Sequence, residues 1–421
     1  MAAETRPDPG SSRVAVGFLL DCLQEGSEPL ECRPADWAAV ADLAERHQVA
    51  ALLYRRLEAG DRPEPVPADA RARLRRAYYR TADRNIRRFR QLGPVLCGLR
   101  SAGIPVVVLK GALLAELVYG NIALRPMGDA DLLVPRAELA RARALLVEAG
   151  WANAAGDIET ACRTYPDLGV FDKQGLWVEV HWTIEQPASP FRIDPAGLWE
   201  RARPARVAGV EVRTLCPEDL LLHLCLHAGY HHEFAAGLLP FCDIARVIER
   251  FRAELDWPGL ARTARDWGAG RYAGLGLELA RVLLRARVPA DALAELVPGG
   301  FDPAVVETAR ECVMAFSSCR QGAARPLRAL VGTGSVGDRF GVFRRRLWPS
   351  RESLAAVYRG LPGAESPGRL RARWFGHLAR SGWCYLVRPR LARLGLTGRG
   401  PDRTAALADW LDRGGGGREQ G

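Results

Sequence analysis

The stretch VVVLKGALLAELVYGNIALRPMGDADLLV, residues 106 to 134, constrains this chain more than any other. It begins within an apolar run of buried-strand type, Ile104-Pro105-Val106-Val107-Val108-Leu109. The run turns at Lys110-Gly111 and continues as a helical pattern from Gly111 to Tyr119. A loop from Gly120 to Gly128 then leads into a second strand, Asp129 to Val134. Side chains alternate across a strand, so Asp129 and Asp131 share one face while Ala130 and Leu132 share the other. Two carboxylates so placed repel one another and lose hydration, and the fold has to supply them with a partner.

A later strand supplies more of the same chemistry. In LWVEVHW, Val178, Val180 and Trp182 form an apolar face, and Glu179 and His181 occupy the opposite one. Set beside the first acidic strand, this one gathers three carboxylates, which are stable together when a divalent cation neutralises them. Hard oxygen donors suit Mg²⁺ or Mn²⁺. A bare Asp-x-Asp also reads as a turn residue and a cap. Here, however, a strand, a glycine turn and a helix precede it, an arrangement that favours anions, and Arg125 stands between.

The rest of the chain organises around this unit. Residues 1–12 are expected to be disordered and 13–100 to form an N-terminal helical region. An α/β core spans 101–215, with further strands at 167–173, 176–182 and 206–213. Helical periodicity returns over 216–315 as a region covering the site. A basic segment, 316–400, follows, and 401–421 reads as a helix and flexible tail. The expected fold class is therefore α+β and α-rich: a mixed sheet flanked by helical regions on both sides.

From Ala70 to Leu99, one apolar stripe (Leu74, Tyr78, Phe89, Leu92, Leu96, Leu99) is surrounded by arginine. That reads first as a solvated helix face and second as a nucleic-acid surface. Lysine occurs only at Lys110 and Lys173 among 59 basic residues, a bias that fits a GC-rich bacterial coding sequence. It also singles out Lys110, since ammonium and guanidinium differ in reach and geometry.

The residues LKG…Y…R…DADLLV…EAGW…VEVHW resemble the nucleotidyltransferase superfamily that includes DNA polymerase β. The likeness is greatest to its bacterial branch of largely uncharacterised proteins that open on an LKG turn. The resemblance implies that Asp129, Asp131 and Glu179 are both the metal ligands and the catalytic acids, with Mg²⁺ or Mn²⁺ as cofactor. It also implies an NTP donor bound at Lys110, Gly111 and Arg125, with Lys110-Gly111 standing where the superfamily usually has Gly-Ser. The implied activity is nucleotidyl transfer to an acceptor that the sequence does not name. The competing reading is a degenerate fold that binds a nucleotide or a partner without turnover.

His223, His227 and His231 recur at i, i+4 and i+8, without a glutamate in the HExxH position. Helix packing or substrate contact is favoured over zinc, and His227 and His231 are expected to face the substrate or its phosphates. Between Arg320 and Gly400, 17 arginines stand against Asp338, Glu352 and Glu365. That segment either packs with its arginines in water or meets an anionic membrane surface or phosphate-rich partner, with nucleic acid less favoured. Ten scattered cysteines without a CxxC pair, no signal-peptide pattern and no long apolar run point to a cytoplasmic protein.

Overall fold

The computed structural model describes residues 9–24, 36–59, 66–316 (except 154–157, 160–161, 163–166, 174–175 and 188) and 403–412, together with 368, 371 and 375. The expectations for the basic segment, including a helix near 369–387, and for the tail after 412 lie almost wholly outside the described residues. The first helix, Pro9–Leu23, opens within the stretch expected to be disordered, with proline in the first turn, where its missing N–H costs nothing.

Strands β1 (Val107–Val108), β2 (Asp129–Leu133), β3 (Ala152–Asn153), β4 (Asp167–Lys173), β5 (Leu176–His181), β6 (Arg203–Val207) and β7 (Val210–Thr214) form one mixed sheet. Their order is β3-β4-β5-β2-β1-β7-β6. β2 runs parallel to β5 and β1 parallel to β7, while the other pairs are antiparallel. The strand expected at 206–213 is instead a hairpin, β6–β7. Ala208 and Gly209 both adopt positive φ, 51° and 77°, as a two-residue turn of this hand requires.

The helices follow from their patterns. Ala68–Ser101 buries Leu74, Ala77, Asn85, Leu92, Val95, Leu96 and Leu99 along one stripe. Most of its arginines face outward, several in exposed ion pairs such as Arg71–Glu58 and Arg87–Asp83, which supports the solvated-face reading. After β7 come Pro217–Leu226, Leu239–Arg250, Trp257–Asp266 and Gly270–Leu284. Trp257–Asp266 has an aspartate N-cap, Asp256, and proline in its first turn. The helix Arg403–Asp412 packs on Pro303–Ala315, burying Leu407 and Leu411, and Arg271 lies over the Trp410 ring.

Ala130, Leu132, Val178 and Val180 are fully buried on one face of the central strands. Their neighbours on the other face are the acids. No disulfide links the described cysteines, and all but Cys97 among them are buried. None of the described helices is long and apolar enough to cross a membrane.

Candidate active site

Register brings the acids together. In the parallel β2–β5 pair, Asp131 stands opposite Glu179 and Asp129 opposite Trp177, so these side chains line one face of the sheet. His181, two residues beyond Glu179, reaches back into the cluster. Its Nε2 lies 3.3 Å from Oδ1 of Asp131 and 3.4 Å from Oε2 of Glu179.

Lys110 enters from the turn after β1. The Leu109 amide donates to the Asp131 carbonyl at 2.9 Å, which fixes the turn against β2. Lys110 Nζ lies 3.4 Å from Oδ2 of Asp131. Gly111 is needed because the backbones approach so closely: a Cβ there would sit 3.0 Å from the Asp129 carbonyl oxygen.

These contacts set the charges. Burial and repulsion from Asp131 press Asp129 toward its neutral form, and its carboxyl is pushed up to about 6. Burial acts on Asp131 too, but Lys110 and the His181 hydrogen bond outweigh it and hold the group well below the usual carboxylate range. Burial alone would lower His181; hydrogen bonds to Asp131 and Glu179 instead push it up to about 10, so it is an imidazolium. Burial also opposes the charge on Lys110, and the three carboxylates more than restore it.

The histidines form the opposite wall. At His227–His231 the helix widens into a π-helical turn, a departure from the regular i, i+4 spacing expected. Burial, reinforced by Lys110, holds His223 and His227 well below the usual imidazole range, so both are neutral. Lys110 Nζ donates toward Nδ1 of His227 at 3.5 Å, and His227 meets His232 at 3.1 Å through their Nε2 atoms. His231 pairs with Glu185 at 2.8 Å. His227 therefore touches the lysine of the site, while His231 is engaged by an acid after β5.

Arg125, expected at the phosphates, is engaged by the protein itself in this structure. Its Nε and Nη2 form a two-pronged pair with Asp243 at 3.0 and 2.8 Å, and its Nη1 donates to the carbonyls of Gly111 and Pro126. Tyr119 completes this buried knot through its hydroxyl, 2.9 Å from Asp243. The guanidinium fork is spent on protein acceptors, so Arg125 braces the turn. Asn85 assists by donating to the carbonyls of Ile122 and Arg125.

With the geometry in view, the comparison with known families is decisive. A family model described as uncharacterised nucleotidyltransferase matches residues 33–285. The chain belongs to this family. No curated protein and no solved structure gives a significant match. Nucleotidyltransferases generally work with a divalent ion, and the residues of this family member fit one. Asp131, Glu179 and, once it gives up its proton, His181 offer ligand atoms within 4.8 Å of one another, and among the described residues the buried Asp131 Oδ2 has no hydrogen bond, only its ion pair with Lys110.

Three residues escaped the sequence reading of the site. His181 had a signal, because it alternates with Glu179 on β5. Trp177 had the same signal two residues earlier, and it is 40% exposed beside Asp129. Arg88 had none. It lies in an arginine-rich helix, and only the fold shows it donating to the Met127 carbonyl next to the acidic strand.

Proposed function

We propose that the protein transfers a nucleoside monophosphate from an NTP to a hydroxyl or phosphate of a small-molecule, peptide or protein acceptor. The observation that supports this most is the alignment of Asp131 with Glu179, capped by His181 and faced by Lys110. In this reading Asp129, Asp131 and Glu179, with His181 beside them, would hold Mg²⁺ or Mn²⁺. A bound ion would neutralise the carboxylates and draw charge from the phosphate oxygens.

The chain's own groups do the rest. Lys110 supplies positive charge at the turn, and Gly111 lets the backbone come close. The acceptor oxygen bonds to the α-phosphorus, the bond to the leaving pyrophosphate breaks, and Glu179 takes the acceptor's proton. Arg125 holds the turn through the Gly111 carbonyl. Trp177 offers an aromatic face at the open end of the cluster for the nucleobase. His227 contacts the lysine, and His231 lines the same wall.

One observation favours a second reading, a nucleotide- or partner-binding protein without turnover. Lys110 and His181 already balance much of the carboxylate charge, as a cation would. Incubation with each labelled NTP and Mg²⁺ or Mn²⁺ decides between the two. Pyrophosphate release or labelled product supports transfer, and nucleotide binding without either supports the second reading.

A further inference from the structure

Three cations act electrostatically on Asp129: Lys110, Arg125 and Arg88. Two of them are already committed. Lys110 pairs with Asp131, and Arg125 gives its fork to Asp243. Arg88 is different. It is half-buried on the inner side of the long helix Ala68–Ser101, and it makes no ion pair with any described carboxylate. One of its Nη groups donates to the carbonyl of Met127, two residues before Asp129.

That carbonyl fixes where the guanidinium stands. A Cβ on Gly111 would lie 3.9 Å from the Met127 side chain and 3.9 Å from Oδ1 of Asp129. Met127, the Lys110-Gly111 turn and Asp129 are therefore neighbours, and Arg88 touches the first of them and acts electrostatically on the last. The site has to receive a polyanion while carrying three carboxylates of its own. A guanidinium with donors to spare and no carboxylate partner is suited to phosphate oxygens.

We propose that Arg88 is a phosphate-binding residue that grips the polyphosphate of the nucleotide donor at the mouth of the cleft. This deepens the nucleotidyltransferase reading and rests on it. The long helix thus has two roles: its outer arginines are solvated, and Arg88 turns inward to bind.

Inorganic tripolyphosphate is the probe, because it carries the group common to every NTP without committing to a base. Its affinity for the full-length protein in Mg²⁺ is measured by calorimetry for wild type, Arg88→Gln, Arg88→Lys and Arg76→Gln. Glutamine keeps an N–H for the Met127 carbonyl and removes the charge. Arg76 is an exposed arginine of the same helix and serves as the control. The expected result is a loss of roughly ten- to a hundredfold for Arg88→Gln, the range for one charge-assisted hydrogen bond. Arg88→Lys should recover part of it, and Arg76→Gln should match wild type. Matching thermal midpoints separate binding from folding. Wild-type binding that Arg88→Gln leaves unchanged overturns the assignment of Arg88 and leaves the nucleotidyltransferase reading intact. If wild type binds neither tripolyphosphate nor any NTP, both fall.

Discussion

The ammonium of Lys110 lies 3.4 Å from Oδ2 of Asp131, with the carboxylate wholly out of water. A lysine in a turn and an aspartate in a strand 21 positions later thus form the electrostatic centre of the site. Asp129, two residues earlier on the same face, has no such close partner among the described residues, and its carboxyl is pushed up to about 6, so its charge at neutral pH is crowded. The two acids of one Asp-x-Asp motif therefore differ in what they cost the fold.

That difference can be measured. In the presence of chelator at about pH 7.5, Asp129→Asn should stabilise the protein by about 1 kcal/mol, because it removes a crowded charge. Asp131→Asn should destabilise it by several kcal/mol, roughly 3–5, because Lys110 and His181 lose their buried counter-ion. Both variants should lose metal-dependent nucleotidyl transfer. Denaturant unfolding of the two variants side by side provides the test, and equal shifts would contradict it.

Lys110→Ala leaves Asp131 with only His181 as counter-charge, so a divalent ion should meet less competition there. Mn²⁺ binding without nucleotide, read by electron paramagnetic resonance, should tighten several-fold, whereas NTP binding should weaken. Lys110→Arg should restore nucleotide affinity only in part, since the planar fork is larger and differently aimed. Unchanged Mn²⁺ affinity in Lys110→Ala would separate the lysine from the metal site.

The knot of Arg125, Asp243 and Tyr119 predicts a non-additive pair. Asp243→Leu alone should cost about 3–5 kcal/mol, because it strands a buried guanidinium. Adding Arg125→Met should recover much of that loss, while nucleotide affinity stays impaired because the brace on Gly111 is gone. A double-mutant cycle in unfolding, run beside a binding assay, reads both terms.

Trp177 should affect nucleotides and spare tripolyphosphate. Trp177→Ala is expected to weaken NTP binding by roughly five- to a hundredfold, the span for one base stacked on an aromatic side chain. Equal losses for NTP and tripolyphosphate would show that the indole does not meet the base.

A pH effect arises outside the carboxylate cluster. His47 is fully buried, neither ring nitrogen has a hydrogen-bond partner among the described residues, and burial, reinforced by Arg46, lowers it to about 4. The unfolded chain takes up this proton near the ordinary imidazole value and the folded protein does not. Its contribution to stability is therefore present above about pH 6.5 and is lost as pH falls toward about 4, amounting to roughly 3 kcal/mol. His47→Phe should flatten that part of the stability profile, and an unchanged slope would exclude His47 as its source.

The sequence by itself determined the elements and their faces. The period of two in residues 129–134 and 176–182 placed Asp129 with Asp131 and Glu179 with His181. The period of 3.6 gave the long helix and its buried stripe. The resemblance carried by LKG and DAD identified a nucleotidyltransferase fold. Only the tertiary structure decided that β2 and β5 are neighbours in a register that sets Asp131 against Glu179. It also decided that Arg125 serves Asp243, 118 positions away, and that Arg88 turns toward the acidic strand from a helix whose other arginines mostly face water. Periodicity is local and is written in neighbouring residues. The partner of a buried charge is chosen by packing between distant segments, where desolvation makes each pairing strong and no spacing in the chain records it.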